Sequence, residues 1–263
     1  MEYIGYLSSI LIGVALGLIG GGGSILTVPV LVYLFKINPE NATSYSLFIV
    51  GISAMVGAYK HSKLGNLKIK SAFVFGIPSI LSLLFIRKII LPIIPVEIFS
   101  VNHFLVSKNL LIMIVFAFLM IAASISMIKK SDDQSEKINI INYKNLAIIG
   151  FSIGLVTGFL GAGGGFLIIP SLLFFAKSSM KEAVGTSLLI IFVNSLIGFT
   201  GDVLNGVQIN YQLLLSVSGI AIIGMLIGTS LSKKIDGKKL KPAFGWFVLV
   251  MGMYIITKEL FLK

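Results

Sequence analysis

Thirteen residues from Gly17 to Pro29, GLIGGGGSILTVP, come back between Gly158 and Pro170 as GFLGAGGGFLIIP. Each copy sets a glycine cluster inside apolar sequence. Glycine costs about 1 kcal/mol per residue in a helix interior relative to alanine, so four within five or six positions stop a helix whatever their neighbours prefer. A stop inside hydrocarbon leaves amide N–H and C=O groups that lipid cannot satisfy, so it survives only packed in protein or beside a polar cavity. The two clusters therefore mark the expected working centre.

Hydrocarbon is the right setting. Of 263 residues, 56% are hydrophobic and only 12% charged, and mean hydropathy is +1.02, whereas soluble domains carry about 25% charge. Cysteine is absent, which removes disulfides, thiolate metal sites and cysteine nucleophiles. Glu2 precedes the first apolar segment where a signal peptide would carry Lys or Arg, so this segment is read as retained membrane sequence. The net charge of +11 is no nucleic-acid signal, because the lysines fall at segment ends.

Apolar stretches run from about Tyr3 to Ile19, Ile25 to Phe35, Thr43 to Tyr59, Ser71 to Ile86, Leu110 to Ile128, Leu146 to Leu160, Phe166 to Ala176, Gly185 to Thr200, Leu213 to Leu231 and Ala243 to Thr257. The second and seventh fall well short of the roughly 17–20 residues of a crossing. Each follows a glycine cluster, so each is expected to be a half-helix returning toward the side from which the chain came. With both hairpins turning back, one face collects fifteen of the 21 Lys and Arg residues, among them Lys60, Lys63, Lys68, Lys70, Lys177 and Lys181. Lys36, Arg87, Lys88, Lys108, Lys258 and Lys263 remain opposite. With single crossings the split is ten against eleven, so the positive-inside rule selects the hairpins and puts both termini outside the cytoplasm.

The repeat extends past the glycines at a spacing of 141: Pro29 with Pro170, Lys36 with Lys177, Ala42 with Ala183, Ser46 with Ser187, Leu47 with Leu188, Gly57 with Gly198 and Gly65 with Gly206. Residues 1–128 form the first half, 129–144 a polar cytoplasmic linker and 145–263 the second half, together one membrane domain. The expected fold is an all-α integral membrane protein, an inverted repeat of two halves, each a glycine-broken helical hairpin followed by three transmembrane helices. Inverted repeats with broken helices are the architecture of secondary transporters, whose substrate sits near the midplane.

The glycine clusters suit an anion. Half-helices that start at Ser24 and Gly165 aim unpaired N–H groups and positive dipole ends at membrane depth, and a Ser24 hydroxyl can cap its helix. Pro29 and Pro170 each remove one helix hydrogen bond. Gly13 with Gly17 and Gly154 with Gly158 form small-xxx-small pairs better suited to close helix packing. No Lys-Ser or Lys-Thr follows the glycines, so neither cluster is a nucleotide loop.

The duplicated glycine segment, with Ala42-Thr43-Ser44-Tyr45-Ser46 and Ala183-Val184-Gly185-Thr186-Ser187-Leu188, resembles the TauE/SafE sulfite exporter family, also called the four-toluene sulfonate uptake permease family. The resemblance spans essentially the whole chain. It implies a permease of the cytoplasmic (inner) membrane for a sulfur-containing anion such as sulfite, an organosulfonate or thiosulfate. The alternatives are a permease or channel for another small anion, and a non-transporting scaffold. The first copy departs from the pattern, having Thr43-Ser44-Tyr45-Ser46 where the second has Val184-Gly185-Thr186-Ser187.

Expected substrate-binding residues are Gly21, Gly22, Gly23, Ser24 and Ser46 from the first half, and Gly163, Gly164, Gly165, Thr186, Ser187 and Asn194 from the second. Lys36 and Lys177 at the half-helix ends suit the dipole there and can snorkel to the interface. His61 and His103 are expected in solvated loops, and Trp246 and Tyr254 at the interface or in packing. All ten Asp and Glu residues fall in loops or at segment ends, which disfavours cation transport and a carboxylate proton relay. There is no HExxH, no GxSxG and no cysteine, so no enzyme, cofactor or metal is expected. The expected partners are a small anion, the lipid bilayer and, as one option, a second copy of the chain; nucleic acid is not among them.

Overall fold

The computed structural model describes residues 2–21, 23–101, 104–128, 142–161, 163–232 and 237–261. Gly22 among the expected site residues, His103, and nearly all of the 129–144 linker lie outside them. The first half comprises α1 (Glu2–Ile19), α2 (Ser24–Tyr33), α3 (Pro39–Lys63), α4 (Ile69–Phe85), a π-helical turn (Ile86–Ile90), α5 (Leu91–Ile93), strands β1 (Glu97–Val101) and β2 (Phe104–Ser107), and α6 (Lys108–Ile128). The second half comprises α7 (Tyr143–Leu160), α8 (Gly165–Phe175), α9 (Met180–Leu204), α10 (Tyr211–Leu231) and α11 (Gly237–Phe261). Each of the ten apolar stretches becomes a helix. Among the described residues, six helices have the length and hydropathy to cross a membrane.

The antiparallel β1–β2 hairpin is a short addition to an otherwise helical chain, which keeps the expected all-α class. Pro95 ends the preceding helix, and Val96, Ile98, Phe99 and Val101 supply the β-branched and aromatic residues that suit a strand.

Backbone detail repeats at the spacing of 141. The helix caps Asn38 and Ser179 both accept from an amide of the first turn with their side chains. Lys36 and Lys177, the non-glycine residues with positive φ among the described residues, are one such pair at 56° and 47°. The left-handed Gly20 and Gly161, and Gly65 and Gly206, are two more.

α2 turns back along α1: the Phe35 ring, just beyond α2, meets Tyr6 near the start of α1 edge to face, centroids 5.3 Å apart. Packing then exchanges between halves. α1 lies on α10 and α7 on α4, while α3, α2 and α6 each pack on their own counterparts, α9, α8 and α11. Gly13 and Gly154 are where the exchanged pairs touch; a Cβ would stand 2.7 Å from the Met225 amide nitrogen and from Ser79 Cα respectively. α3 and α9 occupy the centre. The outer faces are apolar and exposed, as with Phe73, Ile77 and Leu81 one turn apart on α4, which is what a lipid solvent permits.

Candidate functional site

α1 and α7 end at Ile19 and Leu160, and the chain leaves each in the left-handed region, through Gly20 (φ 77°) and Gly161 (φ 66°). Gly163 and Gly164 repeat the left-handed turn before α8, which only glycine makes at no steric cost. α2 restarts at Ser24 and α8 at Gly165, so both helices are interrupted. Ser24 does not cap α2: Gly23 holds the cap position, and the Ser24 hydroxyl donates to the Gly21 carbonyl at 2.7 Å. Ser24 is already in the helix, and its short side chain reaches back to that carbonyl. The Ser24 amide also points to Gly21 and the Leu26 amide to Gly23, so part of the α2 terminus is satisfied locally.

The two breaks meet. A Cβ on Gly21 would lie against the Gly165 carbonyl and 2.7 Å from its Cα; one on Gly165 would lie 2.8 Å from the Gly21 oxygen and 2.7 Å from Ile191 Cδ1. Each break also rests on the central helix of the opposite half. Gly20 abuts Val184 of α9, and Gly161 abuts Thr43 of α3, residues again 141 apart. Gly23 packs on Leu16, and Gly164 on Thr157, its counterpart.

Around this junction α3 and α9 carry matching stripes. Ser46, Val50 and Ser53 stand at i, i+4 and i+7 on one face of α3, and Ser187, Ile191 and Asn194 do so on α9. Val50 and Ile191 flank Gly163, 3.1 and 3.2 Å from where its Cβ would be, and the Ser195 hydroxyl is nearer at 2.7 Å. The Ser187 hydroxyl donates to the Gly20 carbonyl at 3.1 Å, tying α9 to the first break. The Asn194 amide nitrogen donates to Ser79 on α4 at 2.7 Å. Among the described residues, the hydroxyls of Ser46, Ser53 and Ser195 and Oδ1 of Asn194 have no hydrogen-bond partner, although all four side chains are fully buried. Orphaned polar atoms are costly in an interior, so four on the two central helices, with Ser195 against Gly163, invite a ligand.

Of the expected residues, Gly21, Gly165, Gly163 and Ser187 lie at or beside the junction, and Gly23, Ser24 and Gly164 form the adjoining turns, while Ser46 and Asn194 share helix faces with Val50 and Ile191, which flank Gly163. Thr186 is elsewhere. Its hydroxyl accepts from the Lys68 amide at 2.9 Å, beyond α3 at one end of the bundle. Tyr45, 141 residues earlier, does the same at the other end, accepting from the Asn210 amide.

Ser53 and Ser195 were not among the expected site residues, although their spacing from Ser46 and Ile191 was visible. Arg87 and Asp202, which the sequence puts at segment ends, prove buried, at 4% and 5% exposure. Arg87, in the π-helical turn, is ion-paired to Asp202 and donates to Thr43 at 3.0 Å. Ser44 donates to Asp202 as well. Lys108 is likewise buried and bonded to Glu40 at 2.6 Å. His61, expected in a solvated loop, lies buried in the last turn of α3 against Gly185, because that turn packs under α9. Among the described residues no group of three His, Asp or Glu side chains forms a metal site.

The family model described as Sulfite exporter TauE/SafE matches residues 6–255. A probable membrane transporter protein of Xylella fastidiosa strain Temecula1 is 28% identical, the match covering 95% of this chain and 92% of that one. Probable membrane transporter proteins of Bacillus subtilis (26% identity; 93% of each chain) and Methanocaldococcus jannaschii (26%; 94% of this chain and 92% of that one) are similar in the same way. No solved structure matches the chain.

Proposed function

This chain belongs to the TauE/SafE sulfite exporter family of membrane transporters, and from that premise we propose that it is a secondary transporter for a sulfur-containing anion such as sulfite, an organosulfonate or thiosulfate. The observation that carries the reading is the Gly21–Gly165 junction, where two interrupted helices abut and the unpartnered Ser195 hydroxyl stands against the neighbouring Gly163. Half-helix termini supply partial positive charge there, and the hydroxyls of Ser46, Ser53 and Ser195 supply neutral donors to oxyanion oxygens, with the second N–H of Asn194 left beside its bond to Ser79. The substrate is thus held by dipoles and released without breaking a full ion pair.

The halves form an inverted repeat, with both termini outside the cytoplasm of a cell bounded by this inner membrane. What supports this is the contact of Lys68 with the Lys177 carbonyl at 3.3 Å and with Glu182 at 3.1 Å. Single crossings would separate Lys68 from Lys177; returning hairpins bring them to one face, the lysine-rich one. Alternating access then follows from rocking one hairpin against the other about the junction.

Proteoliposomes loaded with sulfite, sulfoacetate or thiosulfate test the reading. Saturable flux with counterflow is expected. Unsaturable flux would make the protein a channel, and none for any small anion would leave a scaffold.

A further inference from the structure

We propose that Arg87, with Thr43 and Ser44, forms a second oxyanion site between the glycine junction and the end of the bundle where α3 begins, and that Asp202 fills this site when no anion does. The transport reading supplies only the class of anion; the cluster supplies the rest.

A buried ion pair adds little stability once desolvation is counted, so burying Arg87 and Asp202 needs another reason. The guanidinium is a planar fork matched to carboxylate and to sulfur or phosphorus oxyanions alike. Here one arm holds Asp202 and the other Thr43, while Nε is buried with no partner among the described residues. Thr43 spends its own proton on the Glu40 carbonyl, so it accepts from Arg87 and holds the fork in place. Ser44 donates to the carboxylate oxygen that Arg87 also binds, a donor ready for any anion in that position. Arg87 sits in a π-helical turn, an irregularity frequent at functional sites.

The cluster joins the junction directly. Thr43 Cα lies 2.6 Å from where a Cβ on Gly161 would be, and Gly161 opens the second break. Among the described residues the opposite end has no equivalent. There Gly185 stands for Ser44 and His61 for Asp202, and Leu226 to Ser230, the matching stretch of α10, carries no cation. An uncompensated buried guanidinium is costly, so Asp202 leaves it only as another anion arrives. Opening at this end is thereby tied to the presence of an anion, and cations gain nothing.

The test uses the full chain in detergent, with inorganic sulfite and sulfate as probes and thermal unfolding as readout. Asp202→Asn removes the competitor, so the anion affinity read from stabilisation should rise about tenfold, the size of an ordinary coupling between two ligands. Adding Arg87→Gln should abolish the gain. An Asp202→Asn protein that binds the anions no better than wild type, or a gain that survives Arg87→Gln, overturns the proposal. Should Asp202→Asn not fold, Ser44→Cys in this cysteine-free chain reacts with a sulfonate-bearing methanethiosulfonate reagent, and sulfate, which does not itself attack the reagent, should slow the reaction. A cysteine that is unreactive, or unprotected by sulfate, also overturns it. Wild-type liposomes that pass no sulfur oxyanion would sink the transport reading and leave this result standing.

Discussion

Gly21 and Gly165 touch backbone to backbone, though 144 residues separate them in sequence. Neither has room for a Cβ, so the two interrupted helices are registered on each other by the absence of side chains. Gly163, one turn away, has the Ser195 hydroxyl and the Val50 and Ile191 methyls around the space its own side chain would fill.

Gly163→Ala should therefore insert and fold yet lose most flux. An alanine in the left-handed region costs about 1–2 kcal/mol, tolerable for a domain, while its methyl fills the place beside Ser195 proposed for the anion. The measurement is flux per inserted protein in liposomes. Wild-type flux would move the site away from the junction.

Gly13→Leu and Gly154→Leu should behave in the opposite way. Both positions face a neighbouring backbone in the exchanged helix pairs rather than the junction, and overpacking costs about 1–3 kcal/mol. The melting temperature should fall by several degrees while the protein that remains folded keeps its substrate affinity. A selective change of affinity at unchanged stability would put these glycines in the substrate path.

How much of this was legible beforehand depends on which signal each element carries. The glycine clusters announce helix breaks because no packing arrangement makes four glycines a good helix, and Ser24 and Gly165 do open α2 and α8. Ser46, Ser187 and Asn194 were legible only as polar residues on the helices that follow the half-helices, and the Ser187 hydroxyl does reach the first break. Arg87 and Asp202 were misjudged for a physical reason: a charge near a segment end looks the same whether it snorkels to water or pairs across the bundle, and only the fold brings positions 115 residues apart together. Thr186 shows the complementary limit, since sequence offered its hydroxyl as a ligand donor while only the fold shows that its oxygen accepts from the Lys68 amide at one end of the bundle. The β1–β2 hairpin was missed because Glu97 to Ser107 is too short to register against the helical pattern around it.

Tyr45 and Thr186 hold opposite ends of the bundle through equivalent hydroxyl–amide bonds, to Asn210 and Lys68 respectively. Removing either hydroxyl costs about 1 kcal/mol, enough to shift a balanced two-state equilibrium several-fold. Tyr45→Phe should open the end that holds Arg87, and Thr186→Val the lysine-rich end. A single cysteine at Ser195 reports this: impermeant reagent should reach it faster from one side in Tyr45→Phe and from the other in Thr186→Val. Equal effects of both changes on both sides would show that these bonds stabilise the fold without gating it.

The returning hairpins can be tested by labelling, since the chain contains no cysteine of its own. Lys68 contacts Lys177 and Glu182, which follow α8, so cysteines at 68 and 177 should react with impermeant reagent from the same side. Lys36 follows α2, shortly before Glu40, which Lys108 binds at the far end of α3. A cysteine at 36 should thus react only from the opposite side, although 36 and 177 are equivalent positions of the repeat. Should cysteines at 36 and 177 label from one side, the halves would run parallel rather than inverted, and the half-helices could no longer approach the junction from two faces.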